Sequence, residues 1–156
     1  MDRFSPEKRS EIMSRVRSRD TTPELRVRSH LHRRGLRYCI HDKRLPGSPD
    51  MTFPSRRLAI FIHGCFWHGH QGCKRATIPA TREEFWRAKI ERNEARDKRV
   101  HSELTELGWR VRIIWECSIA PKALDALADE IEMIPCEKHP KLGFRGKPNA
   151  RVRRLH

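Results

Sequence analysis

The stretch "HGCFWHGHQGC", residues 63–73, places three histidines, two cysteines and two adjacent large aromatics in eleven positions. Cysteine and histidine at this density form a donor set suited to zinc, which takes four N or S ligands in a tetrahedron. Cys65, His68, His70 and Cys73 fall within nine residues, and Cys117 follows an apolar run farther along. Two local cysteines and a histidine supply three ligands, and Cys117 can supply the fourth. Spacing alone does not choose between His68 and His70. The competing reading makes some of these ordinary buried thiols, as Cys39 and Cys136 are expected to be. Four soft donors gathered in so short a loop favour zinc. A site closed by two or three cysteines is structural, with no open coordination position. At least one histidine of the cluster, and His63 outside it, are then left for other chemistry.

A carboxylate stands upstream. Asp50 follows "GSP" and opens a short strand, which is the first half of the PD-(D/E)xK nuclease signature. In that signature the next strand supplies a second acid, a spacer and a lysine, and the acids hold magnesium at the scissile phosphate. Here the next strand reads Phe61-Ile62-His63, apolar where the acid belongs and histidine where lysine belongs. Pro-Asp before a strand is also ordinary turn chemistry, so the half-motif has little weight alone. A later segment adds independent support. Trp86, Lys89, Asn93, Asp97, Val100, Leu104 and Leu107 recur every three or four residues and share one helix face. A carboxylate in a core-facing stripe needs a partner, because burying it unpaired costs several kcal/mol or shifts its pKa. A histidine from the 63–70 loop would satisfy Asp97 and be oriented by it as a general base. Pairing on the surface with neighbours Arg96 or Lys98 is the equal alternative.

The elements that must position these groups follow from caps, turns and periodicity. Residues 1–20 are basic and polar, with Ile12, Met13 and Val16 as their short apolar set, a weak helix or arm rather than a core element. "TTPELRVRSHLHRRG" predicts a helix capped by Thr21 or Thr22, with Pro23 and Glu24 in its first turn and Gly35 at its end. Strands are expected at "LRYCIH" (36–41), "DMTF" (50–53), residues 57–63 and "WRVRIIW" (109–115), with a tight turn at "LPGSP". A long helix should start with Thr81 as cap and Glu84 three residues on, and stop at Gly108. A last amphipathic helix spans 121–134. This order implies a mixed sheet flanked by helices, an α/β layer fold, with a basic arm over 1–20, one domain over 21–135, and a basic, disordered tail over 136–156.

Composition names the partner. The formal charge is +14; the stretch 138–156 carries seven Lys/Arg and no acid, which leaves +7 on the rest. A body basic in its own right calls for a polyanion, and nucleic acid is the commonest. No 18-residue apolar run exists, and the charged N-terminus has no signal-peptide core, so a cytoplasmic location is expected. Five cysteines, an odd count, suit a reducing compartment and thiolate ligands better than a disulfide framework.

Together, "RSEIMSRVRSRDTTPEL", "LPGSPD", "IFIHGCFWHGH", "PATREEFW" and "GWRVRIIWEC" closely resemble the very short patch repair endonucleases of bacteria over roughly residues 8–120. The resemblance implies a degenerate restriction-endonuclease fold with a structural zinc. It also implies an enzyme that nicks one strand of double-stranded DNA 5′ of the thymine in a T:G mismatch left by deamination of 5-methylcytosine. On the matching positions, Asp50 and the backbone carbonyl of Ile62 would hold Mg²⁺. His68 would be the general base oriented by Asp97, with His63 assisting at the phosphate and Glu24 as a further acid near the site. Cys65, His70, Cys73 and Cys117 would hold zinc, and Phe66, Trp67 and Trp86, with Met13 from the arm, would form a wedge entering the DNA stack. A wedge favours mismatches because unstacking costs less there. A monomer is expected, functionally linked to a cytosine-5 methyltransferase and to mismatch-repair proteins. The Gln71-Gly72 spacer is one residue longer than in some members, and the tail has no usable counterpart. The rival readings are a zinc-stabilised mismatch-binding protein without activity, and a restriction-type nuclease of the same fold with another DNA substrate.

Overall fold

In the computed structural model, which describes residues 5–16 and 18–137, the chain runs α1 (Pro6–Ser14), α2 (Thr22–Arg33), β1 (Cys39–Ile40), β2 (Met51–Phe53), β3 (Leu58–His63), α3 (Glu83–Glu106), β4 (Arg110–Trp115) and α4 (Pro121–Met133). The tail expected to be disordered lies, from residue 138 on, outside the described residues. Sheet order is β1-β2-β3-β4; the first two pairings are antiparallel and β3–β4 is parallel. The expected mixed α/β layering is what forms. No helix among the described residues is long and apolar enough to cross a membrane.

β3 explains the layering. Its side chains alternate between faces, as a strand requires, and both faces are covered. Leu58 and Ile60 join Val27 and Leu31 of α2 and Leu124, Leu127 and Ile131 of α4 in one core cluster. Ala59 and Phe61 meet Val100 and Leu104 of α3 on the other face. His63, next on that second face, therefore points toward α3. Leu104 is fully buried, so Leu104→Ala should cost about 2–5 kcal/mol by loosening the helix that carries Asp97.

Some ends match expectation and others differ. Thr21, not Thr22, caps α2, accepting from the Glu24 amide, and Gly35 follows at φ +84°. The strand expected over 36–41 pairs only at Cys39 and Ile40; His41 turns left-handed at φ +47°, with its amide still donating to Asp50 O at 3.4 Å. α3 does not start with a Thr81 cap. Arg82 occupies the cap position in a left-handed conformation without a side-chain cap bond, and its guanidinium lies 4.6 Å over the Phe85 ring. Leu107 is exposed rather than on the core stripe, whereas Ile90 is buried. Cys39 and Cys136 are exposed, not buried. α1 has a Ser5 cap and no buried residue, as an arm would. Past Pro135 the chain stays attached, with the Glu137 amide donating to Ser55 O at 2.7 Å and its carboxylate 3.1 Å from Arg57.

Candidate active site and metal centre

Strand direction brings the chemistry to one end of the sheet. β2 runs antiparallel to β3, so Asp50, just before β2, lies beside the end of β3, and its Oδ2 accepts from the Ile62 amide at 2.7 Å. β4 runs parallel to β3 with His63 opposite Trp115. Cys65 and Cys117, each two residues beyond that pair, therefore emerge side by side. The loop between folds back on itself through amide bonds from His68 to Gly64 O, His70 to Cys65 O and Cys73 to His70 O.

Donor atoms of Cys65, His70, Cys73 and Cys117 lie within 4.8 Å of one another, with His70 Nδ1 3.4 Å from Cys117 Sγ. His70 is the histidine on this side of the loop; its ring stacks on Trp115 at 4.1 Å. Burial pushes the Cys65 thiol up to about 12, whereas the Cys117 thiol is lowered by hydrogen bonds from Ser118 and the neighbouring cysteines against its desolvation.

His68 faces the other way. Its Nδ1 is 2.5 Å from Asp97 Oδ2, so Asp97 pairs with this loop histidine rather than with Arg96 or Lys98. Burial acts to raise the Asp97 carboxyl, but the bond to His68 and its charge outweigh that and hold it below the usual range. His63 stacks on His68 with ring centres 3.8 Å apart, and burial together with the neighbouring His68 charge lowers it to about 3. On its far side is His101, 6.0 Å away. Asp50 is pushed up to about 6, mainly by burial, helped by the charge of Glu24 and opposed by the Ile62 amide. Glu24 itself is buried at 3% exposure, its carboxylate 2.8 Å from Arg28.

Glu24, Asp50, Ile62, His63, His68 and Asp97 line one cleft of about 890 Å³, together with Trp67, Lys89, Asn93 and Arg96. Phe66, Trp67 and Trp86 pack edge-to-face, with centroid separations of 5.1, 5.4 and 6.0 Å. Phe66 and Trp67 are half-buried, while Trp86 is 8% exposed and holds the cluster from below. Met13 is half-buried on α1 and is not among the described residues lining the cleft, whereas Val16, Ser18 and Arg19 are.

A family model described as DNA mismatch endonuclease Vsr matches residues 1–75. The chain is 52% identical over 119 residues to a "Type II nicking enzyme V.XorIIP" of Xanthomonas oryzae pv. oryzae, an alignment covering 76% of this chain and 87% of the relative. It is 47% identical over 122 residues to "DNA mismatch endonuclease Vsr" of Escherichia coli K12, covering 78% and 76% respectively. The "Type II nicking enzyme V.NmeAIP" of Neisseria meningitidis is 41% identical over 79% of the chain and 87% of its own length. The chain belongs to the Vsr family of DNA mismatch endonucleases.

For a Vsr-family chain the structure adds groups that sequence reasoning passed over. Glu116 Oε1 accepts from the Cys65 amide at 3.1 Å, bracing the cysteine loop from the end of β4. Asn93 Nδ2 donates to Trp67 O at 2.8 Å and ties the aromatic loop to α3, and Lys89 Nζ lies 4.9 Å over the Trp67 ring. Asn93 and Lys89 stood on the polar half of the predicted stripe, so their presence there was a usable signal. Arg28 and His41, gathered around Glu24, left no such signal, since neither belongs to a pattern.

Proposed function

We propose that this chain nicks one strand of duplex DNA 5′ of the thymine in T:G mismatches by hydrolysing a phosphodiester bond. What supports the reading most is the meeting of Asp50, His63 and the His68–Asp97 pair in one cleft, with half-buried Trp67 beside them. With Nδ1 held by Asp97, His68 has Nε2 free to take a proton from the attacking water. His63, kept uncharged by burial, offers a neutral hydrogen bond to a phosphate oxygen. Trp67 and Phe66 are positioned to wedge into a stack that a mismatch has already weakened.

The donor set fits a hard divalent cation. A carboxylate pushed up to about 6 by burial and by a neighbouring acid gains from a cation beside it, and carboxylate plus backbone carbonyl is the oxygen chemistry magnesium selects. Asp50 and the Ile62 carbonyl would hold it, and bound Mg²⁺ would supply charge neutralisation at the phosphate. Phe61 is in the core against α3, so the usual second acid has no place there and a backbone oxygen takes over. The cysteine cluster fits zinc. A Zn–S length of about 2.3 Å implies ligand atoms roughly 3.5–4 Å apart, comparable with a set whose members all lie within 4.8 Å. Such a zinc would hold the loop that carries both His63 and His68.

In this reading residues 21–135 form the monomeric endonuclease unit of a cytoplasmic, degenerate restriction-endonuclease-like enzyme. Residues 1–20 form an arm bearing Met13, and the basic segment 136–156 adds phosphate contacts. The work is linked to a cytosine-5 methyltransferase and to mismatch repair. The test is nicking of one labelled duplex in T:G and matched forms, with Mg²⁺ and with EDTA. Asp50→Ala and His68→Ala should abolish the Mg²⁺-dependent nick; wild-type activity in either variant, or equal cutting of the matched duplex, would defeat the proposal.

A further inference from the structure

Glu24 is buried beside Asp50, yet nothing in the catalytic scheme says what holds it. Arg28, one helical turn on and only 8% exposed, does so: its Nη2 donates to Glu24 Oε2 at 2.8 Å. The same Nη2 is 2.9 Å from His41 Nε2, which must accept, since a guanidinium only donates. Nη1 donates to Asp20 Oδ1 at 2.6 Å. Asp20 is the last residue of the arm, has φ +52°, and its own amide donates to Glu24 Oε2 at 3.0 Å. One guanidinium therefore joins three chain segments: the end of the arm, the first turn of α2, and the residue following β1. Asp20, Glu24 and His41 are close enough to be read as a metal cluster. Arg28 already stands among them within hydrogen-bond reach of all three, so the charge they share is met by the guanidinium.

We propose that Arg28 is a positioning residue that fixes the Glu24 carboxylate in the cleft wall and, through Asp20, ties the arm to it. Val16, Ser18 and Arg19, just before Asp20, line the same cleft as Glu24 and Asp50. Arg28 therefore couples seating of the arm on DNA to alignment of the acid next to the Mg²⁺ site, alongside the Asp20 amide and the Thr21 hydroxyl that also donate to Glu24. Lysine cannot substitute fully, because a single ammonium lacks the fork that reaches two carboxylates in fixed directions.

The inference rests on the endonuclease reading and is tested with Arg28→Met, Arg28→Lys and Asp20→Asn in the full chain, each checked for folding by thermal melting. Two measurements are made: nicking of a T:G duplex across DNA and MgCl₂ concentrations, and calorimetric titration of the DNA-free protein with MgCl₂. Arg28→Met should lower kcat on the order of 10–100-fold, the usual effect of losing a group that orients a site, and weaken Mg²⁺ binding in calorimetry. Asp20→Asn should raise KM for DNA more than it lowers kcat, and Arg28→Lys should recover part of the kcat loss. Adding Arg28→Met to Glu24→Gln should lower kcat no further. Wild-type Mg²⁺ binding in folded Arg28→Met or Arg28→Lys would overturn the proposal, as would a lowered melting temperature with kcat unaltered. A wild-type chain that binds Mg²⁺ but never nicks overturns the endonuclease reading instead, and the calorimetry still decides the role of Arg28.

Discussion

Asp97→Asn isolates what the His68–Asp97 pair contributes. The 2.5 Å contact joins a loop histidine 19% exposed at its side chain to a helix carboxylate 17% exposed. A hydrogen bond to a charged group contributes about 1.5–3 kcal/mol, which at about 1.4 kcal/mol per decade is roughly 10–150-fold in rate. Asparagine removes the charge and can also turn its amide N–H toward Nδ1. The ring proton then moves to Nε2, the atom that must accept from water, and general-base catalysis, about 10²–10⁴-fold, is lost as well. The loop should stay in place, since Asn93 holds the Trp67 backbone carbonyl independently. The expected result is kcat lower by about 10³-fold or more with DNA affinity changed by no more than about twofold. Single-turnover nicking of a labelled T:G duplex at saturating enzyme, with binding measured separately, reads both. Activity within about threefold of wild type, or a loss carried wholly by weaker DNA binding, would refute the orienting role of Asp97.

Removing zinc with a zinc-selective chelator, or replacing Cys117 with serine, should cost more than about 3 kcal/mol, roughly 6–12 °C in melting temperature. Metal analysis should find one zinc per chain, and its absence from folded, active protein would sink the assignment. Gly69 has φ +60°, and a Cβ there would run into the Glu94 carboxylate and Ile90; Gly69→Ala should therefore lose about 1–3 kcal/mol in urea unfolding. Adding Glu94→Ala should return only the part due to collision. Trp67→Ala should weaken binding of a T:G duplex by about 1–3 kcal/mol with little change for the matched duplex, measured by fluorescence anisotropy. Equal losses on both would show that Trp67 does not read the mismatch.

Local spacing in the sequence was enough to gather Cys65, His68, His70 and Cys73 in one loop and to put Asn93, Asp97, Val100 and Leu104 on one face of α3. It was enough, too, for the caps and turns that place α2, β2 and β3, and its charge pointed to a polyanion. Those properties depend on residues a few positions apart, where backbone geometry dictates proximity. Direction and long-range pairing are another matter. The structure turns His70 toward Cys117 and His68 toward Asp97, 29 residues away, because the loop folds back on itself and α3 packs against one face of β3. Cys65 meets Cys117 through the parallel register of β3 and β4, and that register is set by which faces must be buried. A left-handed Arg82 moves the start of α3 past Thr81, and β1 pairs only at Cys39 and Ile40 before the turn at His41. Arg28 reads as one more basic residue on a polar helix. Only the packing of the arm, α2 and the end of β1 makes it the group that Asp20, Glu24 and His41 share.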